Sequence, residues 1–199
     1  MKKFFYLLFL GGMLLSSCDL SNATDDTDPN NNNNNNNNSD DAQSFSVGLT
    51  YTSTSPSTDK ASLDINTLTA VPANQGDVTL CWQSQFGYVI TSPDGSIIKE
   101  IYDINTVSYS NNKTTTIQNL GQVDLANYDQ LSELKALTVT SGSIPNYPKN
   151  QVQVNAGDVI AFQRGDIKGV AKLSGLSKVT KKITLTGYVY NPSNSSSTK

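Results

Sequence analysis

The amino-acid sequence predicts an all-β domain, an antiparallel sandwich or open barrel with one short helix. Two observations carry that prediction. Apolar and polar residues alternate through most of residues 43–191, which is the period of a half-buried strand. Gly, Pro, Asn and Asp punctuate the segment at spacings that suit antiparallel connections. Only one stretch, around Leu131 to Leu137, reads as a helix.

The elements follow in order. Phe45, Val47, Leu49 and Tyr51 share one face of a first strand, with Ser and Thr opposite. Leu63 and Ile65 alternate in a second, and Val78, Leu80 and Trp82 in a third. Tyr88 to Ile90 pairs with the third across a turn at Gly87. Ser92-Pro93-Asp94-Gly95 is a turn signal, because Pro presets φ and Gly closes the turn. Ile97 to Tyr102 and Thr106 to Tyr109 read as strands, and Asn111-Asn112 as a tight connection. Leu131, Leu134 and Leu137 have helical spacing, with Asn127 or Asp129 as the cap. Glu133 early and Lys135 late match the helix dipole. Val152 and Val154 alternate before Asn155-Ala156-Gly157-Asp158, and Val159 to Gln163 returns as the second arm of a hairpin. Val170 to Leu173 and a long strand from Val179 to Tyr190 complete a set of eight to eleven. Residues 192–199 read as a flexible tail.

The chain has 199 residues, 16% of them charged, with nine Tyr, six Phe and no His. The scarcity of charge excludes a coiled coil, and a nucleic-acid binder working through a basic face. The absence of His removes His triads, His metal sites and His acid–base chemistry. A domain of about 150 residues buries nearly 70% of its unfolded surface, so it stands without disulfides.

The N-terminal 17 residues read as a processing segment. Lys2 and Lys3 precede an apolar run from Phe4 to Leu15. A bilayer span needs about 20 residues, so this run is a secretory core rather than an anchor helix. It ends in Leu15-Ser16-Ser17-Cys18. An aliphatic residue, two small residues and a Cys resemble a bacterial lipobox. The resemblance implies cleavage before Cys18 and acylation of its thiol and new amine. More than one acyl chain is what stable anchoring requires.

Residues 18–42 then read as a lipidated Cys and a tether. Asp19 to Ala42 holds six Asp, no Lys or Arg, and the run Asn30 to Asn38. Such a composition cannot bury enough apolar surface to order itself. As a flexible coil it reaches roughly 25–30 Å. Acyl-Cys, acidic stretch and low-complexity tether together resemble surface lipoproteins of Bacteroidota-type bacteria. In that group acidic residues soon after the Cys can act as an export signal, here Asp25-Asp26-Thr27-Asp28.

The domain is similar to β-rich lipoproteins of gut and oral bacteria. The likeness rests on GDVTLCWQSQFGYVITSPDGS and VNAGDVIAFQRGDIKGVAKL. A fainter similarity is to haem-capturing surface lipoproteins, which hold iron through axial His or Met. Here His is absent, and Met1 and Met13 lie in the removed segment. No cofactor and no metal are therefore expected.

Other chemistry is sparse. Cys81, in Val78-Thr79-Leu80-Cys81-Trp82, reads as a small hydrophobe in a strand. Asp64, Asp77, Asp94, Asp103, Asp158 and Asp166 fall at turns or strand edges, where Asp commonly shapes the backbone. Arg164-Gly165-Asp166 matches an integrin-binding tripeptide, yet its position reads as a hairpin turn with Arg164 exposed at the tip. Tyrosines remain as candidate ligand contacts: Tyr188 and Tyr190 on the last strand, and Tyr147 in the loop Ile144-Pro145-Asn146-Tyr147-Pro148.

These readings converge on an outer-membrane lipoprotein anchored at Cys18, with surface exposure expected and the periplasmic face as the alternative. Its expected role is a non-catalytic binding module of a nutrient uptake system. The expected partners are the membrane, through the lipid, and a glycan or envelope protein, with no nucleic acid. The alternative is a structural or fimbria-associated adhesive component.

Overall fold

The computed structural model describes residues 42–52, 55–102, 113–177 and 179–194. The signal segment, Cys18, the tether as far as residue 41, and the last five residues lie outside the described residues. So do Asp103, the strand expected at Thr106 to Tyr109 and the connection at Asn111-Asn112.

Among the described residues ten strands form two five-stranded antiparallel sheets, neither of them closed into a barrel, so the fold is a β-sandwich. The first sheet has the order β1 (Gln43–Thr50), β10 (Lys182–Tyr190), β9 (Ile167–Ser177), β8 (Val159–Arg164), β6 (Thr116–Gly121). The second has the order β3 (Thr69–Val71), β2 (Ser62–Asp64), β4 (Val78–Gln83), β5 (Gly87–Thr91), β7 (Gln151–Gln153).

Register follows the hydrophobic alternation, since a slip by one residue would turn every apolar side chain outward. Phe45 pairs with Gly187, Val47 with Leu185 and Leu49 with Ile183. Leu185 pairs with Leu173, Ala171 with Ile160 and Gly169 with Phe162, and Phe162 with Ile117. These residues form one face of the first sheet. They share the main core with Leu63, Leu80, Ile90 and Val152 of the second. Tyr88 crosses the interface, its hydroxyl donating to the Ser177 carbonyl.

The opposite face of the first sheet has its own smaller core. Val159, Ala161 and Val170 are buried there beneath Leu134 of α2 (Leu131–Ala136), with Tyr188 and Tyr190 packed at its side. A 3-10 turn, Leu125–Tyr128, leads into α2, and the Asp124 carboxylate caps that turn by accepting from Ala126 N. The helix start is Gln130, without a side-chain cap, rather than Asn127 or Asp129. Lys168 of β9 holds the other end, its ammonium donating to the carbonyls of Lys135 at 2.7 Å and Leu137 at 2.8 Å.

Four sequence expectations need correction. Ile97 to Tyr102 is not a strand: Ser96–Ile101 forms a second helix, α1. Ile97, Ile98, Ile101 and Tyr102 fall on one helical face, whereas both phases of a strand would carry an Ile. The amide of Ile97 donates to the Gln151 Oε1 at 2.9 Å, so β7 supplies the cap that α1 lacks. Asn155-Ala156-Gly157-Asp158 joins no hairpin either. β7 pairs with β5 and β8 with β6 and β9, so this turn carries the chain from one sheet to the other. It is tied to β9 by Gly157 N to Leu173 O and Leu173 N to Asp158 O, both 2.8 Å. The last strand starts at Lys182, and Val179 is 92% exposed in the turn before it. Finally, neither β3 nor β6 is among the expected strands: Thr-Ala-Val is too short a pattern to stand out, and Thr116–Gly121 carries polar Gln118 and Asn119 between its apolar residues.

Candidate binding cleft

The cleft lies where the two sheets end side by side. β6 is the outer strand of the first sheet and β7 of the second. Among the described residues neither has a further strand paired to its outer edge. The chain segment before β7 fills part of the gap. Gly142 donates to the Ile117 carbonyl at 2.7 Å and accepts from Gln151 N at 3.3 Å. A glycine is needed there, because a Cβ would stand 2.2 Å from Val152 Cγ1 and 3.1 Å from the Ile117 oxygen. Asn119 ties the same edges together. Its Nδ2 donates to the Gln153 carbonyl at 2.9 Å and to Asp158 Oδ2 at 3.0 Å, and its Oδ1 accepts from Gly121 N at 2.8 Å.

Beside this clasp is a cleft of about 350 Å³. Its polar lining is Gln118, Asn119, Ser143 and Gln153, and its apolar lining is Ile144, Pro145 and Val152. Gln118 is oriented by Thr140, whose amide donates to Oε1 at 2.9 Å. No ionisable side chain lines the cleft.

The wall formed by Ile144 and Pro145 belongs to a tight loop. Ile144 and Tyr147 exchange backbone hydrogen bonds of 2.9 and 3.2 Å. Asn146, Lys149 and Asn150 all have left-handed backbones, with φ of 68°, 68° and 56°. Non-glycine residues hold that conformation only where surrounding contacts impose it. Here Asn150 N donates to Ser141 Oγ, Ser92 N donates to the Asn150 carbonyl, and the Tyr147 ring meets Phe86 edge-on at 5.8 Å.

Tyr147 is thus half-buried rather than offered to solvent. Its hydroxyl donates to Glu100, and that bond, more than burial, pushes the phenol pKa up. Tyr188 and Tyr190 sit in the smaller core under α2, with the Lys135 ammonium 5.1 Å from the Tyr190 ring centroid. Tyr147 belongs to the main core. The structure therefore does not gather the three tyrosines into one surface.

The aspartates are mostly engaged in holding the backbone. Asp64 Oδ1 accepts from Asn66 N at 2.8 Å, closing the turn after β2 as expected. Asp94 accepts from Ser92 and Thr114 hydroxyls. Asp158 accepts from Asn155 N at 2.9 Å as well as from Asn119. Asp166 is exposed in the β8–β9 turn. Asp77 is fully buried. It accepts from Ile65 N at 3.0 Å and pairs with Arg164 and with Lys113, the latter at 3.4 Å. Arg164 therefore turns back into the sandwich instead of standing free at the hairpin tip. Cys81 is fully buried, and burial, reinforced by the charge of Asp59, pushes its thiol pKa up. A raised pKa opposes the thiolate that nucleophilic chemistry uses. Among the described residues no group of three or more His, Cys, Asp or Glu is placed to hold a metal ion. No helix among them is long and apolar enough to cross a membrane.

Sequence reading did not single out Gln118, Asn119, Ser143 or Gln153. Each is an ordinary polar residue in its own segment, and only the approach of two strand edges makes them neighbours. Comparison with protein-family models, with curated proteins and with solved structures returned no match.

Proposed function

We propose that this protein is an outer-membrane lipoprotein, anchored through acylated Cys18, whose sandwich is a non-catalytic binding module of the cell envelope. The observation that carries the binding role is the cleft between β6 and β7, with its preformed loop wall and uncharged lining. Concave sites of this kind, with an apolar wall and a few polar groups, are where small ligands bind. The buried thiol of Cys81 and the engaged carboxylates of Asp77, Asp94 and Asp158 support binding over catalysis. The lipobox and the acidic, Asn-rich stretch after it support anchoring and display at the cell surface. Supply of a captured nutrient to an uptake system is the role that joins the two.

Two measurements test the reading. Cys18→Ala should release the protein from the membrane fraction and abolish metabolic lipid labelling. Persistence of either would overturn the anchor. Mature protein incubated with maltotriose, chitotriose or casein should leave each intact by mass spectrometry. Turnover that co-purifies with the protein and vanishes on unfolding would overturn the non-catalytic role.

A further inference from the structure

We propose that the cleft between β6 and β7 takes a short, neutral saccharide; this rests on the binding-module reading and adds the ligand class. The lining selects the chemistry. An ionised ligand would find no counter-charge among Gln118, Asn119, Ser143, Gln153, Ile144, Pro145 and Val152. Behind that lining the Asp158 carboxylate, bonded to Asn119, repels anions. A purely apolar ligand would leave the amides without partners. A neutral sugar offers both complements: hydroxyls around its rim and C–H groups on its face.

The hydrogen-bonding capacity left in the cleft matches hydroxyls. Gln118 has its Oε1 occupied by Thr140 N, which leaves its Nε2 to donate. Ser143 and Gln153 are exposed, and their side chains have no hydrogen-bond partner among the described residues. Hydroxyl and amide groups both donate and accept, as sugar hydroxyls do. Asn119 is already committed on both its nitrogen and its oxygen, so it forms a rigid floor instead of a contact that adapts.

An extended peptide fits less well. It would bind by adding a strand to β6 or β7, yet Gly142 already occupies the Ile117 carbonyl and the Gln151 amide on those edges. The volume, about 350 Å³, lies near the lower end of the roughly 300–1,000 Å³ found for ligand pockets. That size suits a short saccharide or the end of a longer chain. The left-handed loop at Asn146, Lys149 and Asn150 builds the wall in advance, so little ordering is left to oppose binding.

Calorimetric titration of the mature chain tests the proposal. The probes are maltotriose, cellotriose, xylotriose and chitotriose, with trigalacturonate as the anionic control and acetyl-Ser-Val-Thr-Val-amide as the peptide control. At least one neutral trisaccharide should bind in the millimolar range or tighter. Gln118→Ala and Gln153→Ala should each weaken it about tenfold, the loss of one well-made hydrogen bond. Tyr188→Ala, in the other core, should leave it unchanged. Gln118→Ala deprives Thr140 of an acceptor, so if it fails to fold, the exposed Gln153 keeps the test valid. Absence of binding by every neutral trisaccharide overturns the proposal. So does trigalacturonate binding equally tightly, or affinity indifferent to both substitutions. Binding of the peptide alone would overturn the saccharide assignment and preserve a binding cleft. Silence from all probes would remove both, while leaving the Cys18 anchor to its own test.

Discussion

Arg164, at the tip of the β8–β9 hairpin in the first sheet, pairs with Asp77, which is fully buried beside β4 in the second. The two residues are 87 positions apart in sequence. Lys113 approaches the same carboxylate at 3.4 Å, and its ammonium also donates to the Gln75 carbonyl at 2.9 Å. The other Asp77 oxygen accepts from Ile65 N. This carboxylate therefore joins both sheets and the turn after β2.

Removing Asp77 leaves the buried Ile65 amide without its acceptor and two cations without their anion, and removing Arg164 leaves the buried carboxylate with Lys113 alone. Asp77→Ala should cost about 3 kcal/mol in urea unfolding, and Arg164→Ala somewhat less because Lys113 stays close. The double variant Asp77→Ala/Arg164→Ala should be less destabilised than the sum of the two. Additive losses in that cycle would show that the pair does not couple the sheets.

The buried thiol of Cys81 predicts a pH dependence. Its ordinary pKa is 9.0, and burial first, then the charge of Asp59, raise it in the folded protein. A group whose folded pKa is raised contributes its full stability below the unfolded pKa. That stability is lost as pH climbs from there toward the folded value. Unfolding free energy should therefore fall by about 1.4 kcal/mol per pH unit above pH 9. Tyr102, ordinarily at 10.0 and also raised by burial, adds to the slope only above pH 10. Chemical unfolding between pH 8 and 10 should show the slope in the native protein and lose it in Cys81→Ala. An equal slope in both would assign it to other groups.

Gly169 faces the Phe162 ring across the β8–β9 ladder. A Cβ there would lie 2.4 Å from Phe162 Cζ and 2.9 Å from Val189 Cγ2, and Phe162 is fully buried with no room to withdraw. Gly169→Ala should destabilise by about 1–3 kcal/mol in thermal or urea unfolding. Adding Phe162→Leu should recover part of that loss. If the alanine variant melts like the native protein, the contact is softer than the geometry states.

Lys168 closes the end of α2 by donating to two of its last carbonyls. Lys168→Met keeps the aliphatic stem and removes the donors. The expected cost is about 1 kcal/mol. It should appear as faster amide exchange over residues 131–137, with the β8–β9 ladder unchanged. Faster exchange throughout the sheet would mean that Lys168 supports the strands rather than the helix.

Much of the sandwich could be read directly from the chain. Phe45, Leu49, Val78, Leu80, Ile183, Leu185 and Val189 are buried on the faces that their alternation assigns. The pairing of β4 with β5 across Gly87, the β8–β9 turn at Gly165 and the helix near Leu134 were equally legible. These features are local. Period-two burial and turn chemistry act between residues close in sequence, so a short window contains the information. α1 carries its own local signal in the spacing of Ile97, Ile98, Ile101 and Tyr102, but the strand Gly87–Thr91 just before it favours a strand reading.

Partnership between distant segments was decided by tertiary structure. Nothing local states that the turn at Asn155 to Asp158 changes sheets rather than closing a hairpin, because the same turn serves either path. Asp77 reads as a turn residue until Arg164 arrives from the other sheet, and Tyr147 as a free ring until Phe86 and Glu100 meet it. The cleft is the clearest case. Gln118 and Asn119, Gly142 to Pro145, and Val152 and Gln153 come from three segments. Burial of the shared core draws β6 and β7 together and leaves their polar side chains lining the gap, a consequence of packing that no single segment encodes.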